Sequence, residues 1–130
     1  MERKSVFQSN RVLLLLLAAS ASASACGKSS AQANTLTGGD ADRGKSAIAA
    51  YGCKSCHTIP GIPGAQSTVG PNLSGIASRS YIAGVLTNSP ENLIRWLRNP
   101  QAVDDKTAMP NVGVSSRDAR DIAAYLYTLQ

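Results

Sequence analysis

The sequence predicts an all-α fold. Three stretches repeat apolar residues at helical spacing behind residues suited to cap a helix N-terminus. No stretch shows a sustained period-two alternation, and the segment between the first two helices is too dense in Pro and Gly for any regular element. The chain has 130 residues, enough for one domain, and its composition indicates that less than the whole length folds.

The N-terminal part is read as an export segment. Arg3, Lys4 and Arg11 precede an apolar run at 12–19 and a small-residue stretch at 20–25, the order of a secretory signal peptide. The apolar run is too short to span a bilayer. Residues 1–25 are therefore expected to be removed. Cys26 follows at once, and Ala23-Ser24-Ala25 is similar to the approach accepted by a lipoprotein signal peptidase, which implies lipidation of Cys26. A cut after Ala31-Gln32-Ala33 is the alternative and would leave a soluble periplasmic product. Residues 26–39 are Ser, Ala, Gly, Asn and Thr with little apolar bulk, and are expected to form a flexible tether reaching about 20 Å.

The folded domain is expected over residues 40–130. Its first helix runs from about Asp40, a suitable N-cap, to Tyr51, with Gly52 as the stop and Ala41, Gly44, Ala47, Ile48 and Tyr51 on one face. Pro60, Pro63 and Pro71 with Gly61, Gly64, Gly70 and Gly75 make residues 58–75 a loop, and short helical turns are expected between Leu73 and Leu86. The second helix follows Ser89 as N-cap with Pro90 at its first position and Glu91 in its first turn. Leu93, Ile94, Trp96 and Leu97 are its apolar face, and Pro100 ends it. The last helix starts at Ser115 or Ser116, where Ser115 and Asp118 form a capping-box-like pair. Ala119, Ile122, Ala123, Leu126 and Leu129 then recur at helical spacing.

Between the first helix and the loop lies Cys53-Lys54-Ser55-Cys56-His57, the C-x-x-C-H pattern. Two thiols at this spacing can each form a thioether to one vinyl group of a haem, and the adjacent histidine then falls beneath the iron. The competing readings are weaker. A thioredoxin-like pair needs a strand–helix setting, and a structural zinc needs four ligands where the processed chain offers Cys53, Cys56 and His57 alone. With Cys26 carrying lipid and two cysteines carrying haem, none remains for a disulfide. The only Phe is Phe7 in the export segment, so Tyr51, Tyr81, Trp96, Tyr125 and Tyr127 are the aromatics of the mature chain. One covalent haem c would fill the thin core they leave.

A second axial ligand must come from what is left. His57 is the only histidine, and Met109 is the only methionine besides Met1. Met109 sits in Ala108-Met109-Pro110, a non-periodic stretch where core packing is a poor explanation for a methionine. Thioether ligation favours ferrous iron and raises the potential, which suits an electron carrier. A loop methionine without a role would leave a five-coordinate haem able to bind gas or peroxide.

These motifs, with Gly70-Pro71-Asn72-Leu73-Ser74-Gly75, resemble those of a class I cytochrome c from about residue 40 to 129. The resemblance implies the small cytochrome c fold, three main helices and loops wrapped around one haem. It also implies roles for individual residues. The Pro71 carbonyl accepts from His57 Nδ1–H, Arg79 and the Trp96 indole approach the haem propionates, and Tyr125 packs the last helix across the first beside Gly44. Residues 76–101 are similar more narrowly to the cytochrome c domain fused to subunit II of some haem–copper oxidases, and no ring of lysines surrounds the expected haem edge.

The formal charge of +5 includes the export segment, and ten basic and seven acidic residues remain after it. Two propionates bring the processed chain to about +1, and no basic stripe supports nucleic-acid binding. The expectation is a one-electron carrier of a respiratory chain, not an enzyme, held by lipid on the periplasmic side of a bacterial membrane. Its partners would be membrane redox complexes: a terminal oxidase, a quinol-oxidising complex or a dehydrogenase. A five-coordinate haem sensor or peroxidase-like enzyme is the alternative, and the lack of a second histidine as distal base counts against it.

Overall fold

The computed structural model describes residues 25–130, with side chains from Ser29 onward. Residues 1–24 of the expected signal peptide and the Cys26 side chain therefore lie outside the described residues. Four α-helices carry the domain: α1 (Ala25–Thr37), α2 (Ala41–Ala50), α3 (Pro90–Arg98) and α4 (Ser116–Tyr127). The all-α expectation holds, with one addition. Tyr81–Ile82 and Leu86–Thr87 pair antiparallel, in the register Tyr81 with Thr87 and Ile82 with Leu86. Two-residue strands are too short to show an alternation in sequence. The turn joining them puts Ala83 and Gly84 at positive φ, as in a type I′ turn.

The expected flexible tether is corrected by α1. Residues 25–37 contain no Pro and several good helix formers, and the helix docks on the domain with Ala33 and Thr37 at 2% and 5% exposure. Small residues offer little bulk, yet they let one helix lie close against another. Thr37 Oγ1 donates to the Ala33 carbonyl at 2.9 Å, and Asn34 Oδ1 accepts from the Ala41 N–H at 2.8 Å. The end of α1 thus helps to start α2.

The local capping signals are realised. Asp40, Ser89 and Ser115 are extended N-caps whose side chains accept from the N–H of Arg43, Asn92 and Asp118. The expected capping box at α4 closes through a third residue. Tyr51 Oη donates to Asp118 Oδ2 at 2.8 Å and accepts from the Ser115 N–H at 3.3 Å, so the hydroxyl bridges the pair and ties the end of α2 to the start of α4.

Helix α4 is the centre of the fold. Besides the expected Ala119, Ile122, Ala123 and Leu126, it also buries Asp121, Ala124 and Tyr125, because α1, α2, α3 and the loops cover nearly its whole circumference. Gly44 of α2 meets α4 backbone to backbone: a Cβ there would lie 1.9 Å from the Asp121 carbonyl oxygen. The expected Gly44 approach is present, against Asp121 and Ile122. Tyr125 sends its hydroxyl to the Pro60 carbonyl at 2.7 Å.

Asp121 is buried and fully engaged. Arg43 grips it with Nε and Nη2 at 2.8 and 2.9 Å, and the Asp40 N–H donates to it at 2.8 Å. The hydrogen bonds from Arg43 hold the Asp121 carboxyl below its ordinary pKa, against the opposing effect of desolvation. A carboxylate depressed in the folded state contributes stability that is present above the unfolded pKa of about 3.9 and is lost as pH falls through the lower folded value. Asp121→Asn is therefore expected to be less stable than the parent at neutral pH, with the gap closing under acid. Denaturant midpoints from pH 2 to 7 check this, and parallel profiles for the two proteins would refute it.

Candidate haem site

The Cys-His motif is shaped locally. Gly52 at φ 72° ends α2, and a 3₁₀ turn over Cys53–Ser55 brings the Cys56 and His57 N–H groups onto the Cys53 carbonyl at 3.2 and 3.0 Å. Cys53 and Cys56 are both free and half-buried. Burial, helped by the charge of Cys56, pushes the Cys53 thiol pKa up, which is the reverse of a reactive redox pair. Among the described residues no three His, Cys, Asp or Glu side chains gather as a metal cluster.

The Pro- and Gly-rich segment is a loop, as expected, but a packed one. Ile59, Ile62 and Ala65 are buried, and Thr58 forms an isolated bridge with Gln66. It is pinned to the motif where the Gly70 N–H donates to the Cys56 carbonyl at 2.6 Å and the Leu73 N–H to the Thr58 carbonyl at 2.9 Å. His57 Nδ1 lies 2.7 Å from the Pro71 carbonyl oxygen. A carbonyl can only accept, so Nδ1 carries a proton and Nε2 is the ring nitrogen left for another partner. The absence of a side chain at Gly70 makes room for the ring: a Cβ there would lie 2.6 Å from His57 Cε1.

One cavity of about 450 Å³ collects most of the expected site. Cys56, His57, Pro71, Arg79, Trp96 and Met109 all line it. Cys53 does not, although it packs against the core. Buried Ile76, Ile82, Leu93, Leu97 and Leu126 make much of the wall apolar. Met109 comes from the loop before α4, where its N–H donates to Thr107 Oγ1 at 3.2 Å and its carbonyl accepts from Gln101 Nε2 at 2.7 Å. Trp96 is 8% exposed on the cavity side of α3. Arg79 also lines the cavity, but its Nη2 is committed to the carbonyls of Asn72 and Ser74 at 2.6 and 2.8 Å. A second, more open groove of about 580 Å³ is lined by Glu91, Ile94, Arg95, Arg98, Asn99 and Arg120, and offers neither thiol nor imidazole.

These residues fit a haem. The cavity is lined mainly by apolar side chains, an imidazole with a free Nε2 and a thioether share it, and a thiol beside the imidazole could hold the porphyrin edge. Sequence reasoning missed the polar contacts that join distant elements of the fold, Asn88 with Tyr127 and Asp121 with Arg43. A partial signal existed in Asp121, a charged residue inside the apolar pattern of α4.

Comparison with known proteins agrees with the geometry. A family model described as cytochrome c matches residues 41–130. A cytochrome c oxidase subunit 2 from Alkalihalophilus pseudofirmus is 32% identical over 102 residues, covering 78% of this chain and 29% of the relative. Another, from Bacillus sp. strain PS3, is 40% identical over 53 residues, 39% of this chain and 15% of the relative. The chain thus spans less than a third of the curated relatives it matches. No solved structure matches it.

Proposed function

The chain belongs to the cytochrome c family, and from that premise we propose that it is a one-electron carrier of a respiratory chain with a single His/Met-ligated haem c. The observation that carries this reading is the single cavity shared by Cys56, His57 and Met109, with His57 Nδ1 occupied by the Pro71 carbonyl. Bound there, the haem supplies a one-electron couple at its iron. The chain does the rest. Pro71 orients the imidazole and makes Nε2 a stronger donor, Met109 supplies a thioether that favours the ferrous state, and the apolar wall keeps the dielectric low. Cys53 and Cys56 would hold the porphyrin covalently, and Arg79 and Trp96, which line the cavity, would meet its polar groups.

His57 and Met109 together would leave a bound iron no open site for a substrate, so the proposed role is to pass electrons without turning over a substrate. The oxidase subunit 2 relatives favour a terminal oxidase as partner over a quinol-oxidising complex or a dehydrogenase. Among the described residues no helix is long and apolar enough to cross a membrane. A lipid on Cys26 is the proposed anchor, on the periplasmic face of a bacterial membrane.

Intact mass of protein extracted from membranes tests both attachments. The expected chain starts at Cys26, carries a diacylglyceryl addition and retains one haem after denaturation. Haem lost to acid–acetone sinks the covalent assignment, and a soluble product starting at Asn34 sinks the anchor alone.

A further inference from the structure

Asn88 stands at the end of the hairpin with every side-chain polar atom in use. Its Nδ2 donates to the carbonyls of Ile76 and Arg79, both at 2.8 Å, and its Oδ1 accepts from Tyr127 Oη at 2.7 Å. Its own N–H reaches the Ser80 carbonyl at 2.9 Å. Tyr127 is the last residue of α4, so this amide fastens the 76–80 turn to the central helix. From that turn Arg79 reaches back, donating through Nη2 to the Asn72 carbonyl at 2.6 Å and the Ser74 carbonyl at 2.8 Å. Asn72 Oδ1 in turn accepts from the Ser74 N–H at 2.8 Å. Asn72 is the residue bonded to Pro71, whose carbonyl faces His57 Nδ1 at 2.7 Å. An unbroken run of short contacts thus leads from the end of α4 to the imidazole.

We propose that Tyr127, Asn88 and Arg79 are positioning residues that brace the Pro71 carbonyl against His57, and thereby set the donor strength of the imidazole and the reduction potential of the site. This rests on the reading of His57 as an iron ligand. The 71–75 loop is largely exposed, with Pro71, Asn72 and Ser74 all facing solvent, so local packing alone holds it weakly. Arg79 and Asn88 supply directional bonds in place of apolar burial. A carbonyl held on Nδ1–H gives the ring more imidazolate character, which stabilises ferric iron and lowers the potential. Loosening the brace lengthens that bond, weakens the donor and raises the potential.

Arg79 also lines the haem cavity, so removing its charge shifts the potential by simple electrostatics and separates nothing. The neutral variants Asn88→Ala and Tyr127→Phe carry the test, measured on the haem-loaded protein. Two readouts are used: the midpoint potential, and solvent exchange of the His57 Nδ1 proton followed by NMR of the oxidised protein. Asn88→Ala is expected to raise the potential by a factor of about three in the reduction equilibrium, which is roughly 30 mV for one electron. Exchange of the Nδ1 proton should accelerate about tenfold. Tyr127→Phe should move both in the same direction by less, with little risk to folding. Variants that melt at a lower temperature while potential and exchange stay at parental values would overturn the brace and leave a purely structural network. If the parental protein itself shows no iron-shifted His57 ring signals, the ligation reading fails and the brace falls with it.

Discussion

Met109→Ala is expected to abolish the weak long-wavelength charge-transfer band of the oxidised protein and to open the reduced iron to carbon monoxide. It should also lower the reduction potential by a few tenths of a volt, within the roughly 0.8 V over which axial ligands move haem potentials. The expectation comes from where the side chain is and how it is held. Met109 is half-buried and lines the cavity that contains His57. Its backbone is pinned on both sides, by Thr107 and Gln101. A thioether stabilises ferrous iron, so losing it favours the ferric state. Met109→His keeps a sixth ligand and should still lower the potential while leaving carbon monoxide binding weak. Optical spectra, redox titration and carbon monoxide titration read all of this directly. If the parental reduced protein takes up carbon monoxide rapidly and stoichiometrically, Met109 does not ligate in solution, and the sensor or peroxidase-like reading replaces the carrier.

Gly44→Ala is expected to destabilise the domain by about 3 kcal/mol or more, the upper range for forcing extra atoms into a packed contact. An ordinary Gly-to-Ala change within a helix would stabilise by up to about 1 kcal/mol. Here the sign reverses, because the new methyl would sit 1.9 Å from the Asp121 carbonyl oxygen and 2.5 Å from its carbon. Neither atom belongs to a side chain that could swing away. Helix α4 must shift as a body, which disturbs Asp121, Tyr125 and the Leu126 wall of the cavity together. The melting temperature should fall by more than about 10 °C. Ala49→Gly, at an exposed position of the same helix, serves as the control and should cost about 1 kcal/mol. A Gly44→Ala protein that melts within a few degrees of the parent would show that the α2–α4 contact yields easily.

Much of the candidate site is legible in the sequence. Cys53, Cys56 and His57 stand out as candidates through spacing within five residues, and Pro71 and Met109 through short motifs around them. Cys56, His57, Pro71, Arg79, Trp96 and Met109 all line one cavity. The helix starts were equally legible, because an N-cap is a bond between a side chain and an N–H two or three residues on. Arg79 shows the limit of such reading. Its place by the cavity followed from the family resemblance, but its bonds to the Asn72 and Ser74 carbonyls did not.

What the sequence by itself determined is what is carried within a few consecutive positions: the C-x-x-C-H motif, the three capped helices and the all-α class. The tertiary structure alone decided which small or polar residues are taken out of water, and against what. It turned residues 26–37 of the expected 26–39 tether into a docked helix, since the packed domain gives Ala33 and Thr37 a surface to bury against. It made Asp121 a buried anchor, through contacts with Asp40 and Arg43 that span 81 and 78 positions. It placed Tyr51, Asn88 and Tyr127 in bonds reaching 67 and 39 positions along the chain. Desolvation depends on neighbours from distant parts of the chain, so no local pattern records it. A thioether-forming motif and a helix cap need only the residues beside them.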